Sequence, residues 1–225
     1  MGCSRRRLRT SHVRGWCFLN RDRVRALEDL LHGRASVRSF RPDAIDIAMV
    51  ERAIEAAGWA PSPHGTQPWR FVIVEQPEIR QKLATAMADT WREQLRADTM
   101  ETGEIERRVL NSRDRIETPP VVVIACLHLG DAHHYPDPNR QEAERIMAIQ
   151  SFGAAAQNFL LMIHAQGLAA GWMCAPLFCP DVISSTLRLE ASFIPHALFP
   201  VGLESNAPRR RGRRALESLM VKIND

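Results

Sequence analysis

Ala60-Pro-Ser-Pro-His-Gly-Thr-Gln-Pro-Trp-Arg-Phe71 decides how this chain is read. Pro61, Pro63 and Pro68 each remove a backbone donor and fix φ, so the stretch is neither a helix interior nor a central strand. On one side of it, Ile47, Val50, Ile54 and Ala57 repeat at helical spacing behind Asp46, a fitting N-cap. On the other, Phe71 to Val74 reads as a clean strand. A stiff loop with His64, Gly65 and Trp69, held between two rigid elements, presents backbone to a flat ligand.

Working outward, Arg23 to His32 predicts a helix with Val24, Leu27, Leu30 and Leu31 on one side and Gly33 as its cap. A long helix begins at Pro77 and carries Leu83, Met87, Trp91 and Leu95. A polar helix over Glu104 to Arg115 is stopped by Pro119-Pro120. Val121 to Leu127 is an apolar, β-branched run, the mark of a strand covered on both faces. Turn formers from Gly130 to Asn139 lead to the longest helix, Gln141 to Gln166, which Gly167 ends. Its second half, around Gly153-Ala-Ala-Ala156, has no polar face and asks for cover on every side; a second subunit is a natural source. Strands are expected at Trp172 to Ala175 and Ala197 to Leu203, with a short helix from Pro180 between them. This order predicts one α+β domain, helices surrounding a small, mostly antiparallel sheet.

The net charge of +4 hides an uneven distribution. Residues 1–25 hold eight arginines and residues 209–214 five more; without these thirteen and Asp22, 17 basic residues remain against 25 acidic ones. The body is acidic with two basic ends, which argues against a nucleic-acid-binding face. Residues 1–22 read as a basic arm, either a disordered electrostatic tether or the product of an upstream start codon, and residues 23–225 as the folded domain. Trp16 to Leu19 is too short for a secretory signal, and Gln150, Ser151, Gln157 and Asn158 interrupt the nearest candidate membrane span, Ile146 to Ile163. Five cysteines without a C-x-x-C pair point to reduced thiols in a cytoplasmic protein, with Cys126 a core residue rather than a nucleophile.

Two patterns carry chemistry. Arg34, Ser36 and Arg38 alternate on an extended segment and so share a side, where two guanidinium forks around a hydroxyl suit a phosphate monoester. Arg211 and Arg213 repeat the spacing just after a strand, ahead of Leu216, Leu219, Met220 and Val221, which expect burial. The Asp131 to Asp137 segment contains His133 and His134, but adjacent histidines in an extended loop face apart, so a substrate-shaping or structural loop is favoured over a metal site. No nucleophile elbow, P-loop or G-x-G-x-x-G supports a hydrolase, NTPase or Rossmann reading.

Together, Arg34-Ala-Ser-Val-Arg-Ser-Phe40, the proline loop, Gln157-Asn158 with Gly167-Leu-Ala-Ala-Gly-Trp172, and the terminal arginines resemble the flavin-dependent nitroreductase family over roughly residues 28 to 222. The resemblance implies an α+β homodimer with FMN at the subunit interface, small-molecule substrates, and no membrane or nucleic-acid partner. It assigns Arg34, Ala35, Ser36, Val37 and Arg38 to the FMN phosphate and ribityl chain, with Arg211 or Arg213 closing on the phosphate. His64, Gly65 and Gln67 would line the ring, and Met173 and Cys174 would supply backbone contacts. No side chain is assigned as catalytic, since the flavin carries the chemistry. Gly65 departs from the asparagine common in the family. A finer resemblance, through Met87 to Asp98 and Gly130 to Met147, is to the C-terminal domain of the actinobacterial coenzyme F-420:γ-glutamyl ligase. It implies reduction of a dehydro precursor of coenzyme F-420, with Ser62, Asp98, His134 and Tyr135 toward substrate. The alternatives are a general NAD(P)H-dependent nitro or quinone reductase, and a non-catalytic flavin or deazaflavin carrier.

Overall fold

The computed structural model describes residues 11–223, with side chains from residue 20 onward. In chain order the elements are α1 (Ser11–Gly33), α2 (Ile47–Ala57), β1 (Trp69–Val74), α3 (Pro77–Ala97) and α4 (Thr102–Glu117). They continue with β2 (Val121–His128), α5 (Pro138–Ala165), β3 (Ala169–Ala170), α6 (Pro180–Leu187) and β4 (Phe193–Gly202). One four-stranded sheet has the order β1-β2-β4-β3, with every neighbouring pair antiparallel.

Strand β2 is the axis of the molecule. Val121, Val123, Ala125 and Leu127 face a core built with α2 and α5, while Val122, Ile124 and Cys126 face a second core built with α3 and α6. Each large aliphatic side chain so enclosed contributes about 1.5–3 kcal/mol relative to exposure. The unbroken apolar run follows from this, because neither face of the strand meets water. A register shift at Ala125/Cys126 lets the ten-residue β4 follow the eight-residue β2.

Helix ends follow their capping chemistry. Asp46 accepts from Ala48 N at 3.0 Å and starts α2. Asp137 accepts from the backbone N–H groups of Asn139 and Arg140, so α5 starts at Pro138, three residues before the expected Gln141. Helix α1 likewise starts at Ser11, ahead of the expected Arg23. The expected strand at Trp172 to Ala175 is not one. Only Met173 pairs, as a single bridge to Leu198, and Ala175–Phe178 turns into a 3-10 helix. Pro176 stands at the start of that turn, where its missing N–H is not needed.

Helix α5 is long and apolar enough to cross a membrane by composition alone. Here it lies against α2 and the sheet, with Ala155, Ala156, Phe159 and Ile163 fully buried. A stripe of Gly153, Ala154, Gln157, Asn158 and Leu161 stays half-exposed, so full cover on that side does not come from the described residues. The tail behaves similarly. Leu216, Leu219 and Val221, expected to be buried, are 63%, 66% and 89% exposed.

Candidate functional site

The segment between α1 and α2 is extended because it is paired to the sheet's β3 end. Val37 N donates to Ala170 O at 3.1 Å, Arg41 N donates to Leu203 O at 2.8 Å, and Ser36 forms a parallel bridge to Ala170. Alternation then buries Val37 and sends Arg34, Ser36 and Arg38 to one side. Gly171 is required behind this segment, since a Cβ there would lie 2.5 Å from Val37 O.

Arg34, Ala35, Ser36 and Arg38 line a cavity of about 610 Å³ together with Arg211 and Arg213 of the tail. Arg209 and Arg210 line it as well, and among the described residues no carboxylate does. Arg210 bonds the carbonyls of His32 and Gly33 (2.7 Å to the latter), satisfying the end of α1 and fixing the tail beside Arg34. Arg34 Nε is buried with no partner among the described residues. Guanidinium groups gathered without a carboxylate are half of an anion site, and a phosphate monoester fits the donor set. The residues present therefore suit the phosphate end of a nucleotide-like cofactor.

Ser36 and Arg38 also line a second cavity of about 620 Å³, so the two spaces meet at these residues. Its walls include Trp91 and Met87 of α3, Trp172, Met173 and Phe178. Asp98, at the C-cap of α3, and Ser112 and Arg115 of α4 are among its polar lining residues. Val37 and Met173 thus reach this cavity, and so does Asp98. The backbone N–H and carbonyl of Met173 are both bonded to Leu198 at 2.9 Å, which leaves its side chain to face a ligand. Cys174 is exposed beside it. Arg115 was not singled out by the sequence, because an arginine in a polar helix reads as solvated. Burial, and then the like charge of Arg38, pull its pKa down.

The proline loop forms a separate group. His64, Gly65 and Gln67 all take positive φ, at 54°, 71° and 48°. The loop holds this shape by its own bonds: Gln67 N to Ser62 Oγ at 3.1 Å, Thr66 Oγ1 to Pro63 O at 3.0 Å, and Trp69 N to Gln67 O at 2.7 Å. Arg70 Nη1 donates to the carbonyls of Gln67 and Trp69, and its other nitrogen lies 3.7 Å from Asp131. Nothing stands within 4 Å of a Cβ built on Gly65, so the glycine is there for its dihedral and not for close approach within this chain. The His64 ring stacks on His133 at 3.9 Å. Tyr135 is next to that pair, under the Arg140 guanidinium at 5.1 Å, while His134 points to solvent. None of Ser62, His64, Gly65, Gln67, His134 and Tyr135 lines either cavity. Among the described residues, no three His, Cys, Asp or Glu side chains converge on a metal position.

Residues 31–203 match the nitroreductase family. The chain belongs to that family. Membership puts it among the FMN-dependent oxidoreductases as a class. Nitroreductase NfnB of Mycolicibacterium smegmatis is 38% identical over 188 residues, which are 75% of this chain and 79% of NfnB. NfnB has been solved as an FMN-dependent nitroreductase in complex with NADPH, and its fold matches with a TM-score of 0.71 over 89% of this chain and 99% of that one. Superposition aligns residues by place rather than by likeness, so its identity is lower, at 20%. A BluB-like flavoprotein from Clostridium difficile matches with a TM-score of 0.76 at 23% identity, over 88% of this chain and 99% of the other. Iodotyrosine deiodinase of Drosophila melanogaster is 26% identical over 197 residues. These are 82% of this chain but only 64% of the deiodinase, so the chain spans under two thirds of that relative's length.

Proposed function

We propose that this protein works as a cytoplasmic homodimer that binds FMN between its subunits and reduces electron-poor planar molecules at the expense of NADPH. The observation that carries the reading is the meeting, at Ser36 and Arg38, of an arginine cavity that no carboxylate among the described residues lines with an aromatic-walled one. A cofactor with a phosphate at one end and a flat ring at the other needs that arrangement. When bound, FMN supplies the hydride chemistry.

The chain's own residues have distinct tasks. Arg34, Arg38, Arg211 and Arg213 would hold the phosphate, with Ser36 donating to the ribityl hydroxyls. Met173 and Cys174 would stand along the ring's edge. His64, Gly65 and Gln67 lie apart from both cavities within one chain, which supports a ring-lining role across a subunit boundary. The half-exposed stripe of α5 and the exposed Leu216, Leu219 and Val221 are the surfaces a second copy would cover. The NADPH bound to the NfnB relative supports that donor.

An absorbance spectrum of the purified protein tests this directly. Flavin bands near one FMN per chain, bleached by NADPH and restored by a nitroarene, are expected. Protein that stays colourless after incubation with FMN overturns the proposal.

A second reading, reduction of the dehydro precursor of coenzyme F-420, is favoured by Arg38 and Arg115 lining the cavity. That substrate carries a carboxylate and a phosphodiester, which cations at the cavity's polar end would recognise. Steady-state competition between the precursor and a simple nitroarene separates the two readings.

A further inference from the structure

Helices α3 and α4 form a hairpin rich in arginine, and most of those arginines are engaged. Arg92, Arg107, Arg108 and Arg113 each hold a carboxylate at 2.5–2.9 Å. Arg115 differs. It lines the 620 Å³ cavity, makes no hydrogen bond or ion pair among the described residues, and sits close enough to Arg38 for the two charges to repel. Its neighbour in sequence, Asp114, accepts the Thr118 hydroxyl at 2.8 Å on the solvent side of the helix. Asp98 reaches the same cavity but pairs with neither arginine.

Arg38 is shared with the arginine cavity, so Arg115 is the cation of this space that no acceptor or carboxylate among the described residues engages. A guanidinium taken partly out of water without a partner is costly to keep, and a ligand that supplies an anion removes that cost. Trp91, Phe178 and Met173 make the remaining walls apolar and flat.

We propose that Arg115 is the anion-recognising end of the acceptor cavity, so that the protein selects planar, electron-poor substrates bearing a carboxylate. This rests on the oxidoreductase reading above and deepens it by naming the substrate class.

The test is equilibrium binding of 4-nitrobenzoate and its neutral isostere 4-nitrobenzamide to the purified protein, with flavin content recorded alongside. The wild type should bind the carboxylate about tenfold or more tightly than the amide, the worth of one charge-assisted hydrogen bond. In Arg115→Gln that preference should fall to near unity, and Arg115→Lys should restore part of it. A wild type with no preference, or an Arg115→Gln variant that keeps it, overturns the proposal. Loss of FMN from Arg115→Gln with the preference intact also overturns it, because Arg115 then belongs to the cofactor. Binding is read without turnover, so a colourless protein that still prefers the carboxylate refutes the flavin assignment and leaves the anion assignment standing.

Discussion

The Arg34–Arg38 segment and the Ala60–Phe71 loop are both non-regular, both rich in ligand-ready groups, and held in opposite ways. The first borrows its shape: its backbone is bonded to Ala170 and Leu203, and Arg34 Nε is left without an acceptor among the described residues. The second makes its own shape, through Ser62, Thr66, Gln67 and Arg70, and its side chains are mostly engaged. A borrowed shape frees side chains to bind; a self-made shape fixes backbone to be read. The arginine segment is therefore built for charge, and the proline loop for form.

The largest expected effect breaks the first half of that contrast. Replacing Arg34 and Arg38 together with Ala should weaken FMN binding by at least about 100-fold, since each charge-assisted contact is worth about 1.5–3 kcal/mol. The melting temperature of the cofactor-free protein should hardly change. Stoichiometric flavin retained through gel filtration would remove the phosphate assignment.

Gly65→Val tests the second half. At φ 71° a β-branched side chain should cost about 1–2 kcal/mol, a fall of roughly 2–8 °C in Tm for a chain of this size. Calorimetry on the cofactor-free protein measures it. An unchanged Tm would mean that the loop does not depend on its left-handed positions.

A smaller effect is expected from His133→Ala, which removes the 3.9 Å stack on His64. Aromatic stacking is worth about 0.5–1.5 kcal/mol. The loss should appear as faster hydrogen exchange at Gly65 and Thr66, with exchange in β2 unaltered. Uniform acceleration across both would point to global destabilisation instead.

The smallest is chemical. Cys174 is exposed next to the cavity wall, while burial pushes the Cys126 thiol up to about 12. Alkylation of the native protein at pH 8, read by peptide mapping, should mark Cys174 and leave Cys126 untouched. Equal labelling would show that β2 is not as closed as its burial implies.

How much of this was legible in advance follows from how local each signal is. Asp46, the Ile47/Val50/Ile54/Ala57 spacing and the Val121 run specify their elements within a few residues, and the structure agrees closely there. The start of α5 was placed late because the turn formers around Pro136 outweighed Asp137 as a cap. Trp172 to Ala175 looked like a strand by composition, yet only one residue of sheet edge remained for it to pair with. The arginine and proline motifs carried the family. What they could not carry was their separation in space, which depends on the register of β3 and on which surfaces a second chain covers. Arg115 was invisible for a similar reason: its isolation is defined by Arg38, 77 positions away in the sequence.

The pair of hydrogen bonds that Arg210 donates to the carbonyls of His32 and Gly33 has a temporal meaning as well as a spatial one. It joins residues 178 and 177 positions apart, so it closes a loop of almost the whole chain. Loop closure of that length is penalised by entropy until the intervening elements are in place. The arginine cavity is thus expected to be the last part of the monomer to form and the first to open. Anything that binds there acts as a clasp on the finished fold, stabilising the native chain by mass action.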